Sequence, residues 1–184
     1  MKKIKILISK TSIGAIMLTI SFATFAQKIE SHCTKSEFTI LTAKMGKLEK
    51  DKFIPNGKYL SLCSDAKKEP FSKFTYKYGK IGAIELEVVA TPTSKFNLHH
   101  EMTGPRMSDN VVWFNKGNTT YLVNEAMGMA SGVWVYVYQG KKKIAEISSG
   151  FGSENYDSDL GIIDMTKAKS PVFKIDAPNV ERPK

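Results

Sequence analysis

The chain has 184 residues, 42% hydrophobic, with 27 Lys and Arg against 18 Asp and Glu and a formal charge of +9. Four of the lysines (Lys2, Lys3, Lys5 and Lys10) sit in the first ten residues, so the remainder carries about +5, enough chain for one domain. Those later basic residues are scattered, and their densest run, Lys141-Lys142-Lys143, falls at an expected turn, which argues against a nucleic-acid surface.

The N-terminal lysines precede an apolar run from Ile13 to Phe22, too short to span a bilayer comfortably. Thr24-Phe25-Ala26 then offers the small residues a signal peptidase reads. The pattern predicts a signal peptide over 1–26 and cleavage before Gln27. No Cys follows the run to anchor a lipoprotein, and no later segment reads as a transmembrane helix. The expected product is a periplasmic or secreted single β-domain over 27–177, with a flexible tail over 178–184 that holds Pro178, Arg182 and Pro183. Export implies oxidising conditions, and the two cysteines, Cys33 and Cys63, allow one intramolecular disulfide. A zinc site would want further thiols or a paired histidine motif.

Along the rest of the chain the apolar period is close to two. Phe38, Ile40 and Thr42 alternate. Tyr59–Leu62 follows a Pro55-Asn56-Gly57 turn. Phe74, Tyr76 and Tyr78 alternate with Thr75 and Lys77, and after Gly79-Lys80-Ile81-Gly82 come Ile84, Leu86 and Val88 between Glu85 and Glu87. Val111–Phe114 and Thr119–Val123 flank a turn at 115–118. Val133–Tyr138 and Lys143–Ser148 flank Gln139-Gly140-Lys141. No long 3.6-residue period occurs. These elements predict an all-β fold, an antiparallel sandwich or small barrel of about eight strands. Thr91–Asn110 and Gly150–Asp159 lack strand character and read as long loops, where function often resides.

Register decides the role of the aromatics. A three-residue hairpin loop sets Tyr76 opposite Ile84, Phe74 opposite Leu86 and Lys73 opposite Glu87, separating an apolar face from a charged one. The aromatics then fill the core. Glu85 and Glu87 form a charged surface ladder with Lys73 and Lys77. The run Val133–Tyr138 is apolar on both faces. Either it is a central strand covered twice, or Trp134, Tyr136 and Tyr138 present an aromatic platform.

Sites with chemistry are sparse. In an extended segment His99 and His100 point to opposite sides, and no helical His-Glu-x-x-His occurs. The oxygen-rich run 153–159 lacks the spacing of an EF-hand, and no Gly-x-Ser-x-Gly elbow is present. The expectation is therefore no metal, no cofactor and no catalysis.

The stretch Phe74-Thr75-Tyr76-Lys77-Tyr78-Gly79, followed by Ile84-Glu85-Leu86, resembles a pattern in small exported bacterial proteins. Over about residues 60–150 the chain is similar to periplasmic immunity proteins and lysozyme-type inhibitors, disulfide-stapled β-domains without cofactors. That resemblance implies a protein partner, a toxin or a cell-wall enzyme, bound by occlusion. No inhibitor motif matches residue by residue, so it assigns no site. Binding energy concentrates in Trp, Tyr and Arg. The partner-binding residues expected here are Arg106, presented by Gly104-Pro105, together with Trp134, Tyr136 and Tyr156. The candidate binding loops are His99–Asp109 and Ser153–Asp159. Alternatives are a small-ligand or glycan-binding barrel using Trp134 and Tyr136, and a hydrolase with an unrecognised site.

Overall fold

A computed structural model describes residues 29–163 and 169–175. The expected signal peptide over 1–26 and tail over 178–184 lie outside the described residues. Eleven strands follow in order: β1 (Phe38–Glu49), β2 (Lys52–Ser64), β3 (Phe74–Lys80), β4 (Ala83–Ala90), β5 (Phe96–Gly104), β6 (Met107–Lys116), β7 (Thr119–Met127), β8 (Gly132–Gln139), β9 (Lys142–Ser148), β10 (Tyr156–Ser158) and β11 (Phe173–Ile175). Two single 3-10 turns, Ser153–Asn155 and Leu160–Ile162, are the only helical pieces among the described residues, and no helix there is long and apolar enough to cross a membrane.

The strands form one sheet in the order β11-β5-β6-β7-β8-β9-β1-β2-β3-β4, with β10 laid on the edge of β1. All pairings are antiparallel except that of β11 with β5. The sheet does not close, which overturns the small-barrel expectation, and it has eleven strands where about eight were expected. It does curl. Tyr76 on β3 meets Phe114 of β6 edge-on at 5.0 Å between ring centres, and Phe74 meets Phe173 of β11 at 4.8 Å and Phe96 of β5 at 6.2 Å. The core fills the inside of this curl, with Leu60, Leu62, Phe74, Tyr76, Leu98 and Val123 buried in it.

The missed strands have a physical cause. Thr91–Asn110 is not a loop: β5 and the first half of β6 run through it as a hairpin turned at Pro105-Arg106. Its core-facing side is apolar at Phe96 and Leu98 but polar at His100 and Asn110, so the alternation faded where the strand continued. Gly150–Asp159 is mostly irregular as expected, and only Tyr156–Ser158 joins the sheet.

The β3–β4 hairpin corrects the predicted register. Its turn has two residues, Ile81 and Gly82, with Lys80 opposite Ala83, and Tyr76 faces Val88 rather than Ile84. Glu87 is opposite Lys77, not Lys73. The displacement is an even number of residues, so the faces stay separated and the aromatics do enter the core. A bulge between Tyr78 and Gly79 absorbs the odd residue. Gly79 has φ of 150°, and a Cβ there would lie 2.4 Å from the Ala83 carbonyl oxygen, so only glycine fits.

On the other face of β1–β3 the segment 29–37 lies as a strap. Cys33 is disulfide-bonded to Cys63 with Cα atoms 5.5 Å apart. The His32 amide donates to Ser61 Oγ at 3.0 Å, and Thr42 Oγ1 donates to the Glu30 carbonyl at 2.7 Å. Under the strap Lys77 is only 4% exposed, and its ammonium binds Glu37 at 2.7 Å. The expected surface ladder is therefore absent: Lys77 and Lys73 turn to Glu37, and Glu85 pairs with Lys58.

Candidate functional site

Three successive cross-strand rows on the core side of β5, β6 and β7 define the candidate site. The first, Leu98–Val112–Val123, is apolar. Two residues along, the row becomes His100–Asn110–Glu125, and two further it becomes Met102–Ser108–Met127. The middle row is hydrogen-bonded along its length. His100 Nδ1 lies 2.9 Å from Asn110 Oδ1, and Asn110 Nδ2 donates to Glu125 Oε2 at 2.8 Å. Asn110 and Glu125 are 3% and 4% exposed. A carboxylate this buried needs partners, and the side-chain amide of Asn110 provides one.

Glu125 lines a cleft of about 340 Å³ together with Met127, Gly128, Ser131, Tyr156 and Asp157. Tyr156 arrives on β10, which pairs it with Ala43 of β1. Burial pushes the Tyr156 phenol up, the Glu125 charge adds to that, and Ser131 acts against it. The wall at Gly128 has φ of 107°, and a Cβ there would lie 2.5 Å from the Arg106 carbonyl oxygen. The β5–β6 turn thus packs directly on the cleft wall. Arg106 is exposed on that turn in the left-handed region, with φ of 62°. Around it the rim is apolar: Met129 is 96% exposed, Met102 66% and Met127 43%.

The predicted binding residues divide into two groups. Arg106 and Tyr156 adjoin this cleft. Trp134 and Tyr136 lie on the outer face of β8, whose Val133 and Val135 point into the core. β8 is an interior strand between β7 and β9. Its outer face is partly covered: Trp134 packs on Phe151 at 5.8 Å, and Tyr136 joins a small cluster of Val111, Trp113 and Leu122. Burial, with the Glu146 charge behind it, pushes the Tyr136 phenol up to about 12. Tyr138, beyond a bulge, is buried. The four residues do not form one surface.

His99 and His100 project to opposite faces, His99 toward Glu101 at 4.0 Å and His100 toward Asn110. Among the described residues no group of three His, Cys, Asp or Glu side chains could hold a metal ion. The sequence reading placed His100 in a candidate loop and set it aside as a metal ligand, and it missed Asn110 and Glu125. The available signal was phase: Asn110 and Glu125 are two residues from Val112 and Val123, hence on the same face of the same strands.

A second cleft, of about 480 Å³, opens beside the strap and is lined by Glu37, Asp65, Lys73, Lys77, Ile84 and Glu87. Burial acts to raise the Glu37 carboxyl. The Lys77 ammonium and hydrogen bonds from Thr34 outweigh it and bring Glu37 down to about 2. The chain matches no family model, and no curated protein or solved structure matches it either.

Proposed function

We propose that this chain is an exported protein-binding domain that occludes a cell-envelope-acting enzyme, and that the rim of the Glu125 cleft is its contact surface. The observation that carries this reading is the exposed methionine rim beside Arg106. Large apolar side chains held in water mark interaction surfaces, and methionine adapts its shape to a partner. The partner fitting this surface has an acidic groove for Arg106, an apolar border for Met102, Met127 and Met129, and a basic side chain that enters the cleft toward Glu125 and Asp157. Occlusion is supported by the tight Pro105-Arg106 turn, which leaves Arg106 exposed beside the cleft, since a guanidinium makes paired hydrogen bonds to carboxylates.

The test is inhibition of purified muramidases by the purified protein, compared with Arg106→Ala. Arg106 is exposed on a turn, so the variant should keep its thermal midpoint while binding falls at least about tenfold. Equal inhibition by the variant refutes this surface. Turnover of a cell-wall or ester substrate by the isolated protein refutes the binding role. A second reading, a small polar ligand in the cleft, is favoured by the buried Glu125 that lines it, held from behind by Asn110, and by a volume within the range of ligand sites.

A further inference from the structure

Methionine is unevenly placed. Of the five methionines among the described residues, Met45 is buried in the core. The other four gather at one end of the sheet: Met102, Met107 and Met127 near the ends of β5, β6 and β7, and Met129 in the turn that follows. Met102 and Met127 are exposed there, and so is His100.

The two sulfurs and the imidazole share a face. Met102 and Met127 flank Ser108 in one cross-strand row, and His100 precedes Met102 by two residues on the same side of β5. Neighbouring strands lie about 5 Å apart, so the backbones of Met102 and Met127 are separated by about 10 Å. Ser108 between them is small. Two methionine side chains, each with three rotatable bonds, can meet above it.

The hydrogen bonds behind the row fix the state of His100. Asn110 Nδ2 donates to Glu125 Oε2 at 2.8 Å and approaches Met127 Sδ at 3.4 Å. Carboxylate and thioether only accept, so the amide nitrogen faces them and Oδ1 faces His100. That oxygen also only accepts. His100 Nδ1, 2.9 Å away, therefore carries the proton, and the lone pair of the neutral ring lies on Nε2. Metal-binding histidines are held in this way, anchored through one nitrogen with the other left to the ion. The amide that anchors the ring is also the one that touches Met127.

Thioethers are soft donors and select Cu(I) over harder divalent ions. Among the described residues no trio of His, Cys, Asp or Glu could hold zinc instead. Cys33 and Cys63, the two cysteines of the chain, are bonded to each other, so no thiol competes. We infer that His100 Nε2 and the sulfurs of Met102 and Met127 form a three-donor site for Cu(I), one ion per chain. The metal-free expectation took His99 and His100 as a pair on opposite faces; here His100 alone joins two thioethers. The site does not depend on the proposed partner, because all three donors belong to this chain.

The experiment titrates the purified protein with Ag(I) in chloride-free buffer and follows methionine methyl and histidine ring signals by NMR. Ag(I) shares the soft-donor preference of Cu(I) and needs no reductant. The first equivalent should shift the methyl signals of Met102 and Met127 and the ring signals of His100, and leave Met45 unmoved. Cu(I), kept reduced with ascorbate under nitrogen, should compete for the same site, and Zn(II) should not. Met102→Leu combined with Met127→Leu keeps an apolar rim of similar volume, so the thermal midpoint should hold while Ag(I) affinity falls at least tenfold. His100→Gln should lower it at least threefold. Absence of saturation at one equivalent overturns the assignment. So does undiminished affinity in the double leucine variant, or equal binding of Zn(II) at these residues. No partner protein enters the measurement, so failure of the protein-binding reading leaves its outcome unchanged.

Discussion

Glu37→Gln tests the strap most sharply, because it removes one charge from a buried pair and little volume. Lys77 is then an ammonium 4% exposed whose remaining contact is the His32 carbonyl oxygen at 3.5 Å. Removing one partner of a fully buried pair costs about 3–5 kcal/mol. Here the cleft lets water reach the pair, and Lys73 loses only a long contact, so a cost of about 1–2 kcal/mol is expected at pH 7 after allowance for solvent screening. The pH dependence supplies an independent check. The Glu37 carboxyl sits at about 2 in the folded chain against 4.5 ordinarily. A depressed folded value stabilises fully above the unfolded value and is lost as pH falls through the folded one. The wild-type advantage should therefore hold from pH 7 to about 5, shrink between 4.5 and 2, and vanish below. Urea midpoints of both proteins across that range measure it. A constant difference across pH, or none at pH 7, would refute the account of the strap. Adding Lys77→Met to Glu37→Gln should recover most of the loss, since an apolar residue needs no counter-charge.

The contrast between this pair and the core shows what the sequence made legible. The alternation Phe74, Tyr76, Tyr78 against Leu86, Val88 was readable because period two survives any even displacement of register. The displacement itself was not, because Gly79 and Gly82 each permit several turns and the bulge at Tyr78 leaves no compositional mark. The expectation of export and two thiols pointed to Cys33–Cys63, yet nothing local showed that the disulfide fastens a strap over Lys77. That contact joins residues 40 positions apart. The same limit hid the candidate site. Asn110 and Glu125 read as ordinary polar residues, and His100 as part of a candidate loop, until β5, β6 and β7 are aligned, when the three fall in one row beneath three apolar neighbours. Arg106 was legible as a turn residue because Gly104-Pro105 restricts the backbone locally. Trp134 and Tyr136 were conspicuous by type, but only the position of β8 within the sheet shows how far their face is covered.

Three further outcomes follow from named contacts. Mass spectrometry of the non-reduced protein should show two hydrogens missing, and Cys33→Ser should cost about 3–4 kcal/mol for a loop of this length, a free thiol in exported material being the contrary result. Tyr76→Ala should cost about 3–5 kcal/mol, because its ring meets Phe114 and Tyr121 in the core, whereas Glu85→Ala on the surface should cost under about 1 kcal/mol; an unchanged midpoint for Tyr76→Ala would remove the aromatics from the core. Glu125→Gln separates binding from folding. The amide oxygen can still accept from Asn110 Nδ2, so the packing and the hydrogen bond survive while a buried charge is removed. Natural sites retain such charges at a cost to stability when function needs them. Stability should therefore stay within about 1 kcal/mol or rise, while affinity for a partner that enters the cleft with a basic side chain falls. A destabilised Glu125→Gln protein with undiminished partner affinity would make the carboxylate a structural element and leave the methionine rim, with Arg106, as the whole of the contact.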